Sequence, residues 1–147
     1  AVAGTALFAL RLAEGTSALA DTKGLTVSVP VTVKYVIDGD TLKIEPLTWR
    51  NGKVYTRVRF QSFSAPEIGA RAKCAREADL GQQAKKKMTT MFKPGEKVDL
   101  INARPGRYPG RLIAKVLTVD GRDPGLSLIR EKLAVPYEPY TRPWCDQ

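Results

Sequence analysis

From position 25 to position 37 the apolar side chains fall on alternate residues: Leu25, Val27, Val29, Val31, Val33, Tyr35 and Ile37, with Thr26, Ser28, Thr32 and Lys34 between them. A period of two puts every second side chain on one face of an extended backbone, so this stretch is committed to a half-buried strand rather than an amphipathic helix. Pro30 has no N–H to give to a ladder and predicts either an edge position or a break into two pieces. Asp38-Gly39-Asp40 reads as a turn, and residues 41–45 as the returning strand.

The same reasoning carries down the chain. Asn51-Gly52 is the strongest hairpin signal. Beyond it Val54, Thr56, Val58 and Phe60 share one strand face, while Tyr55, Arg57 and Arg59 share the other, which leaves Arg59 free to look into a cleft instead of the core. Residues 76–92 change period: Leu80, Ala84, Met88 and Met91 recur at helical spacing, with Lys85, Lys86 and Lys87 opposite and a stop at Lys93-Pro94-Gly95. The lysine run reads as a solvated helix face. Residues 98–101 and 112–119 predict two more strands, separated by the Gly/Pro-rich loop of residues 104–110. Residues 126–133 predict a short helix with Leu126, Ile129 and Leu133 inward, and the proline-rich tail from Pro136 is irregular. Five strands with one helix after the third and one near the end describe a mainly β, α+β chain with the layout of a five-stranded OB-fold barrel and two to three packed helices. Periodicity alone also admits another small α+β fold.

At 147 residues and 43% hydrophobic content, one domain with its own core is expected. Residues 25–147 form that domain. Residues 1–24 form an N-terminal extension that reads either as the remnant of a signal peptide or membrane anchor ending in Ala18-Leu19-Ala20, or as a strand or helix of the fold. The apolar run within it is too short to span a bilayer, so no membrane span is expected. The 24 Lys+Arg outnumber the 15 Asp+Glu, giving a formal charge of +9, and such a surface attracts polyanions. The chain has no histidine. Histidine triads, zincins and imidazole acid catalysis are therefore excluded, and any metal site must rest on oxygen ligands, which favour calcium or magnesium. The two cysteines, Cys74 and Cys145, are too few for a zinc site without histidine and too far apart for a C-x-x-C redox pair. They are either two free thiols or one long-range disulfide, the latter implying an oxidising compartment.

Three polar clusters stand out: Asp38-Gly39-Asp40-Thr41, with two carboxylates and a hydroxyl at a turn; Pro66-Glu67 after the Arg57/Arg59 strand; and the basic loop leading to Arg111. Each has an ordinary structural explanation by itself. Together, Val36-Ile37-Asp38-Gly39-Asp40-Thr41-Leu42, Arg57-Val58-Arg59-Phe60 with Ala65-Pro66-Glu67, Glu77 with Leu80-Gly81 and Ala84, Gly110-Arg111-Leu112 with Ala114, and Leu128-Ile129-Arg130 with Leu133-Ala134 resemble the staphylococcal nuclease family in order and spacing. Cys74 and Arg142-Pro143-Trp144-Cys145 resemble its disulfide-bearing bacterial branch.

The resemblance implies an OB barrel and calcium-dependent phosphodiester hydrolysis of DNA and/or RNA. It implies Asp40 as a calcium ligand, Arg59 as a phosphate clamp, Glu67 acting on the attacking water and Arg111 stabilising charge on the phosphoryl oxygens. A phosphodiester repels nucleophiles, so a cation and guanidinium forks that neutralise it, with a carboxylate for water, make chemical sense. It also implies a Cys74–Cys145 bridge, hence a periplasmic, secreted or envelope-anchored protein, and a monomer is expected. Three positions depart from the family pattern. Ser64 stands where a second calcium-binding aspartate is usual, which weakens the metal site, although the Ala65 carbonyl remains a ligand. Lys132 stands where glycine commonly ends the last helix. Pro109 replaces a frequent tyrosine, so base stacking falls to Tyr108 or Tyr137; Tyr137 reads equally well as a packing residue of the tail. An alternative to the nuclease is a catalytically inactive nucleic-acid-binding domain.

Overall fold

The computed structural model describes residues 26–146, and the expected extension of residues 1–24 lies outside them. Strands β1 (Ser28–Asp38), β2 (Thr41–Thr48) and β3 (Val54–Phe60) form a meander, followed by the short β4 (Phe63–Ser64), a 3₁₀ turn and helix α1 (Ala75–Met91). Strands β5 (Lys97–Pro105) and β6 (Arg111–Val116), helix α2 (Pro124–Arg130) and the short β7 (Val135–Pro136) complete the order. The five long strands close into a barrel in the order β1-β2-β3-β6-β5, with β4 and β7 pairing as a separate two-stranded ribbon. This is the expected five-stranded barrel with two helices against it. All barrel pairs are antiparallel except β3 with β6.

Pro30 neither breaks β1 nor ends it. Residues Ser28 to Thr32 pair only with β5, and pairing with β2 begins at Val33. The proline thus lies in the part of the strand that has one neighbour, where a missing N–H costs no ladder bond on the other side. The alternating pattern holds for Val31 and Val33, which are buried, and then fails: Tyr35 is 51% exposed and Val36 takes the inward place. The β1–β2 register shifts between Val33 and Tyr35, and such a bulge reverses the faces beyond it. A second shift, between Lys43 and Leu47 of β2, accompanies the early part of β3, where Tyr55 is buried and Val54 exposed, opposite to the simple alternation. Past it Val58 and Phe60 are buried as expected, and Arg57 and Arg59 share the other face.

Helix α1 buries Ala84, Met88 and Met91 against β1 and α2, as its spacing requires. Helix α2 starts two residues earlier than its apolar pattern suggested, because Asp123 caps it by accepting from Gly125 N and Pro124 occupies its first turn. The rotation turns Leu128 inward and leaves Leu126 61% exposed, correcting the expected inward face; Ile129 and Leu133 do pack on the core. Lys132, just past this helix, has φ of 60°. The structure also joins Cys74 to Cys145. Among the described residues no helix is long and apolar enough to cross a membrane.

Two stability outcomes follow. Lys132→Gly should raise stability by about 1 kcal/mol, since glycine relieves the left-handed backbone, measured by urea denaturation; a loss of stability would mean that the lysine side chain contributes more than the strain costs. The bridge closes a loop of 71 residues, and its reduction should lower stability by about 4 kcal/mol, seen as a fall in Tm with the barrel's far-UV signal kept at lower temperature.

Candidate active site

The parallel pairing of β3 with β6 places Arg57 opposite Arg111 and Arg59 opposite Ile113, which brings three guanidinium-bearing residues to one end of the barrel. On the other side, the turn after β1 delivers Asp38 and Asp40. Gly39 between them sits so close to its neighbours that an added Cβ would lie 2.5 Å from Ala65 Cβ and 2.8 Å from Ala84 Cβ. The turn is therefore seated against the β4 segment and α1 at once. Glu67 is positioned by the same device one layer on: a Cβ at Gly81 would lie 2.5 Å from the Glu67 carbonyl oxygen. Helix α1 can approach the Glu67 backbone only because residue 81 lacks a side chain.

Asp38, Asp40, Arg57, Arg59, Ser64, Ala65, Glu67 and Arg111 line one cavity of roughly 100 Å³. Every expected catalytic and metal-binding residue is among them. Tyr108 and Tyr137 do not line it; they flank an adjoining cavity that shares Arg59, Glu67 and Arg111. Each tyrosine carries one of the expected phosphate-binding arginines on its ring, Arg111 over Tyr108 at 4.6 Å and Arg59 over Tyr137 at 5.8 Å.

The two arginines differ in their partners. Arg59 donates through Nη1 to the carbonyls of Phe60 and Phe63, and through Nη2 to Ser64 Oγ at 3.0 Å, with Asp40 Oδ2 at 3.4 Å. Its fork is locked in place by protein acceptors. Arg111 is the opposite case: its Nε is buried and has no hydrogen-bond partner among the described residues. Burial first, and then the Arg59 and Arg57 charges, lower the Arg111 guanidinium from its usual value. A buried donor beside two like charges is costly unless an acceptor, best an anion, meets it.

Asp40 is also fully engaged. Its Oδ2 accepts from Ala65 N at 2.8 Å and its Oδ1 from Thr41 Oγ1 at 3.0 Å. Asp38 Oδ1 accepts from Asp40 N, and the Asp38 carboxyl is pushed up to about 7, by burial first and then by the Asp40 charge. Two carboxylates in one partly buried turn hold the negative charge that a hard cation relieves, and with the Ala65 carbonyl they make an all-oxygen donor set suited to a dication that keeps several waters. Ser64 adds little to that set, because its hydroxyl already accepts from Arg59. Among the described residues no group of three or more acidic or cysteine side chains gathers as a metal site. A dication here would rest on Asp38 and Asp40 as its carboxylates, both Asp40 oxygens already accepting from protein donors.

Three residues of this region were not singled out as site residues from the sequence. Glu77 is 1% exposed; its Oε2 accepts from Glu67 N at 3.2 Å and its Oε1 from Lys73 N at 2.8 Å. The local signal was Cys74-Ala75-Arg76-Glu77, a capping-box spacing with cysteine at the cap: Cys74 Sγ accepts from Glu77 N while Glu77 reaches back to the chain before the helix. Arg142 and Tyr140, from the tail, line both cavities. Arg142 stands in the Arg142-Pro143-Trp144-Cys145 stretch quoted for the resemblance, but no local signal gives it or Tyr140 a role at the site. No family model matches this chain, and no curated protein matches it.

Gly81→Ala should destabilise the protein by about 1–3 kcal/mol, because the new methyl meets backbone rather than a flexible side chain. A thermal midpoint unchanged from the parent would show that α1 can move away from Glu67 freely.

Proposed function

We propose that this protein is a calcium-dependent phosphodiesterase that hydrolyses DNA and/or RNA, in the manner of the staphylococcal nuclease family. The observation that carries the reading is the buried, unpartnered Arg111 Nε in a cavity that also presents Arg59, Arg57 and a carboxylate. That combination suits a phosphodiester better than any neutral ligand, since the anion satisfies the orphan donor and offsets the crowded positive charge. The +9 charge of the chain raises the local concentration of such a polyanion.

Arg111 donates to a non-bridging phosphoryl oxygen, and its interaction strengthens as charge accumulates there in the transition state. Arg59, held rigid by the Phe60 and Phe63 carbonyls, orients the phosphate with little entropy left to lose. Glu67, part-buried between Arg71 and Arg142, orients a water for in-line attack and takes its proton as the opposite P–O ester bond breaks, the charge developing on the leaving oxygen being met by Arg111. Asp38, Asp40 and the Ala65 carbonyl would hold calcium, which when bound would supply Lewis-acid charge neutralisation at the phosphate. Tyr108 and Tyr137, on the adjoining cavity, stack unpaired bases. The Cys74–Cys145 bridge favours an oxidising location, periplasmic, secreted or envelope-anchored, and the protein acts as a monomer.

A second reading has its own observation. Arg59 Nη2 bridges Ser64 and Asp40, so a guanidinium already neutralises part of the carboxylate charge that a metal needs. On that reading the protein binds single-stranded nucleic acid without cutting it.

Incubation with single-stranded DNA and calcium separates the two. Cleavage abolished by chelator is the expected result, with Glu67→Gln and Arg111→Ala each lowering kcat by about 10²-fold or more while the fold is kept. Ser64→Asp should tighten calcium binding measured by calorimetry. Cleavage appearing only in Ser64→Asp would establish the binding-only reading for the parent chain, and absence of both cleavage and salt-dependent DNA retention would sink both readings.

A further inference from the structure

The C-terminal tail reaches the site from far away in sequence. After β7, Tyr137 N donates to Ser62 O at 3.0 Å. The chain then runs exposed through residues 138–141 and is fixed again where Trp144 is buried and Cys145 is bonded to Cys74. Trp144 is buried outside the main core cluster; its burial is made by the site end of the molecule, and it lines the same cavity as Glu67. Between these anchors Arg142 turns inward. Its Nη2 lies 3.4 Å from Glu67 Oε1 and 3.4 Å from Glu77 Oε2.

The two glutamates make an awkward pair. Glu77 is buried, its Oε2 already accepts the Glu67 amide, and both carboxylates lie 3.4 Å from one nitrogen of Arg142. Like charges in a poorly solvated place repel, and among the described residues the other cation on Glu67 is Arg71, whose side chain is 74% exposed and correspondingly screened. One nitrogen of Arg142 serves both carboxylates and holds them together. The disulfide fixes Arg142 three residues from its own anchor point.

From this geometry we infer that Arg142 is a positioning residue: carried by the tail and held by the Cys74–Cys145 bridge, it neutralises the Glu67–Glu77 pair and so keeps the Glu67 carboxylate aimed into the cavity. The inference rests on the phosphodiesterase reading for its catalytic consequence, but not for its structural one. A purely structural ion pair would support Glu77 alone and leave Glu67 indifferent to it.

The test uses the intact protein and two readouts. The first is hydrogen exchange of the Glu67 amide by NMR, which reports its bond to Glu77 whether or not the protein is an enzyme. In Arg142→Gln, which keeps a donor but removes the charge, exchange at Glu67 should quicken severalfold while the barrel amides of Val58 and Leu112 stay protected. Arg142→Lys should restore protection, since both contacts are made from a single nitrogen that an ammonium can replace. The second readout is cleavage of single-stranded DNA with calcium: kcat should fall by about 10²-fold in Arg142→Gln with KM nearly unchanged, and recover in Arg142→Lys. Cys74→Ser/Cys145→Ser, which leaves every charge in place and a capping side chain at position 74, should reproduce the Glu67 exchange change, and adding Arg142→Gln to it should do little more. It also decides the matter if Arg142→Gln alone does not fold. Unaltered Glu67 exchange in Arg142→Gln, or full additivity with the serine pair, would overturn the inference. If the parent protein cuts nothing, the phosphodiesterase reading fails by itself, and the exchange measurement still decides what Arg142 does.

Discussion

The one parallel contact in the barrel, β3 beside β6, is what the candidate site depends on. Antiparallel neighbours can be joined by a tight turn, but a parallel pair needs a long crossover, and here that crossover contains β4, the 3₁₀ turn, α1 and β5. Part of the wall that meets the arginines is carried on it, Ser64, Ala65 and Glu67, the rest coming from the Asp38–Asp40 turn. Register along the parallel pair sets Arg57 against Arg111, a like-charged juxtaposition that destabilises the empty barrel. Strand hydrogen bonds and the buried Val58, Leu112 and Ala114 hold the arginines there regardless. The strain is electrostatic and is relieved by an anion, which ties the closure of the fold to the chemistry of the ligand.

The opposite wall depends on close approach rather than charge. Gly39 and Gly81 sit where a methyl group would strike Ala65, Ala84 or the Glu67 carbonyl, so the Asp38–Asp40 turn and the Glu67 segment are both clamped against α1. The carboxylates and the arginines then line one cavity, with Asp40 already within 3.4 Å of Arg59. Preorganisation of this kind leaves little reorganisation for the moment of reaction.

Much of this was legible in the chain because it is local. A period of two in β1 and of 3.6 in α1, an Asn-Gly turn, and carboxylates at a glycine turn are each readable over a few residues. The misreadings have local causes too, but ones that alternation does not encode. Bulges in the β1–β2 and β2–β3 ladders turn Tyr35 outward and accompany the burial of Tyr55, and the Asp123 cap rotates α2 so that Leu128, not Leu126, meets the core. Arg59, Glu67, Arg111 and Asp40 were assembled on one cavity by a resemblance in motif order, which contains long-range information that periodicity lacks. Arg142 stands in the Arg142-Pro143-Trp144-Cys145 stretch that the resemblance covered, but that resemblance assigned it no role, and its approach to Glu67 goes with a long-range bridge that local pattern does not encode.

Ser64 shows how one side chain can redistribute the charges of such a site. A carboxylate at this position would stand beside Asp40 and Asp38 and ask for a dication. The hydroxyl instead accepts from Arg59, and that arginine reaches on to Asp40. On the proposed function the guanidinium would be shared between balancing Asp40 and meeting a phosphate, while the buried Arg111 Nε has no partner among the described residues. Cation and Arg59 therefore compete for the same carboxylate oxygen. On the proposed function, a metal that took that oxygen would leave Arg59 Nη2 for a phosphate while Nη1 stayed on the Phe60 and Phe63 carbonyls, so metal and phosphate binding would be coupled through one side chain.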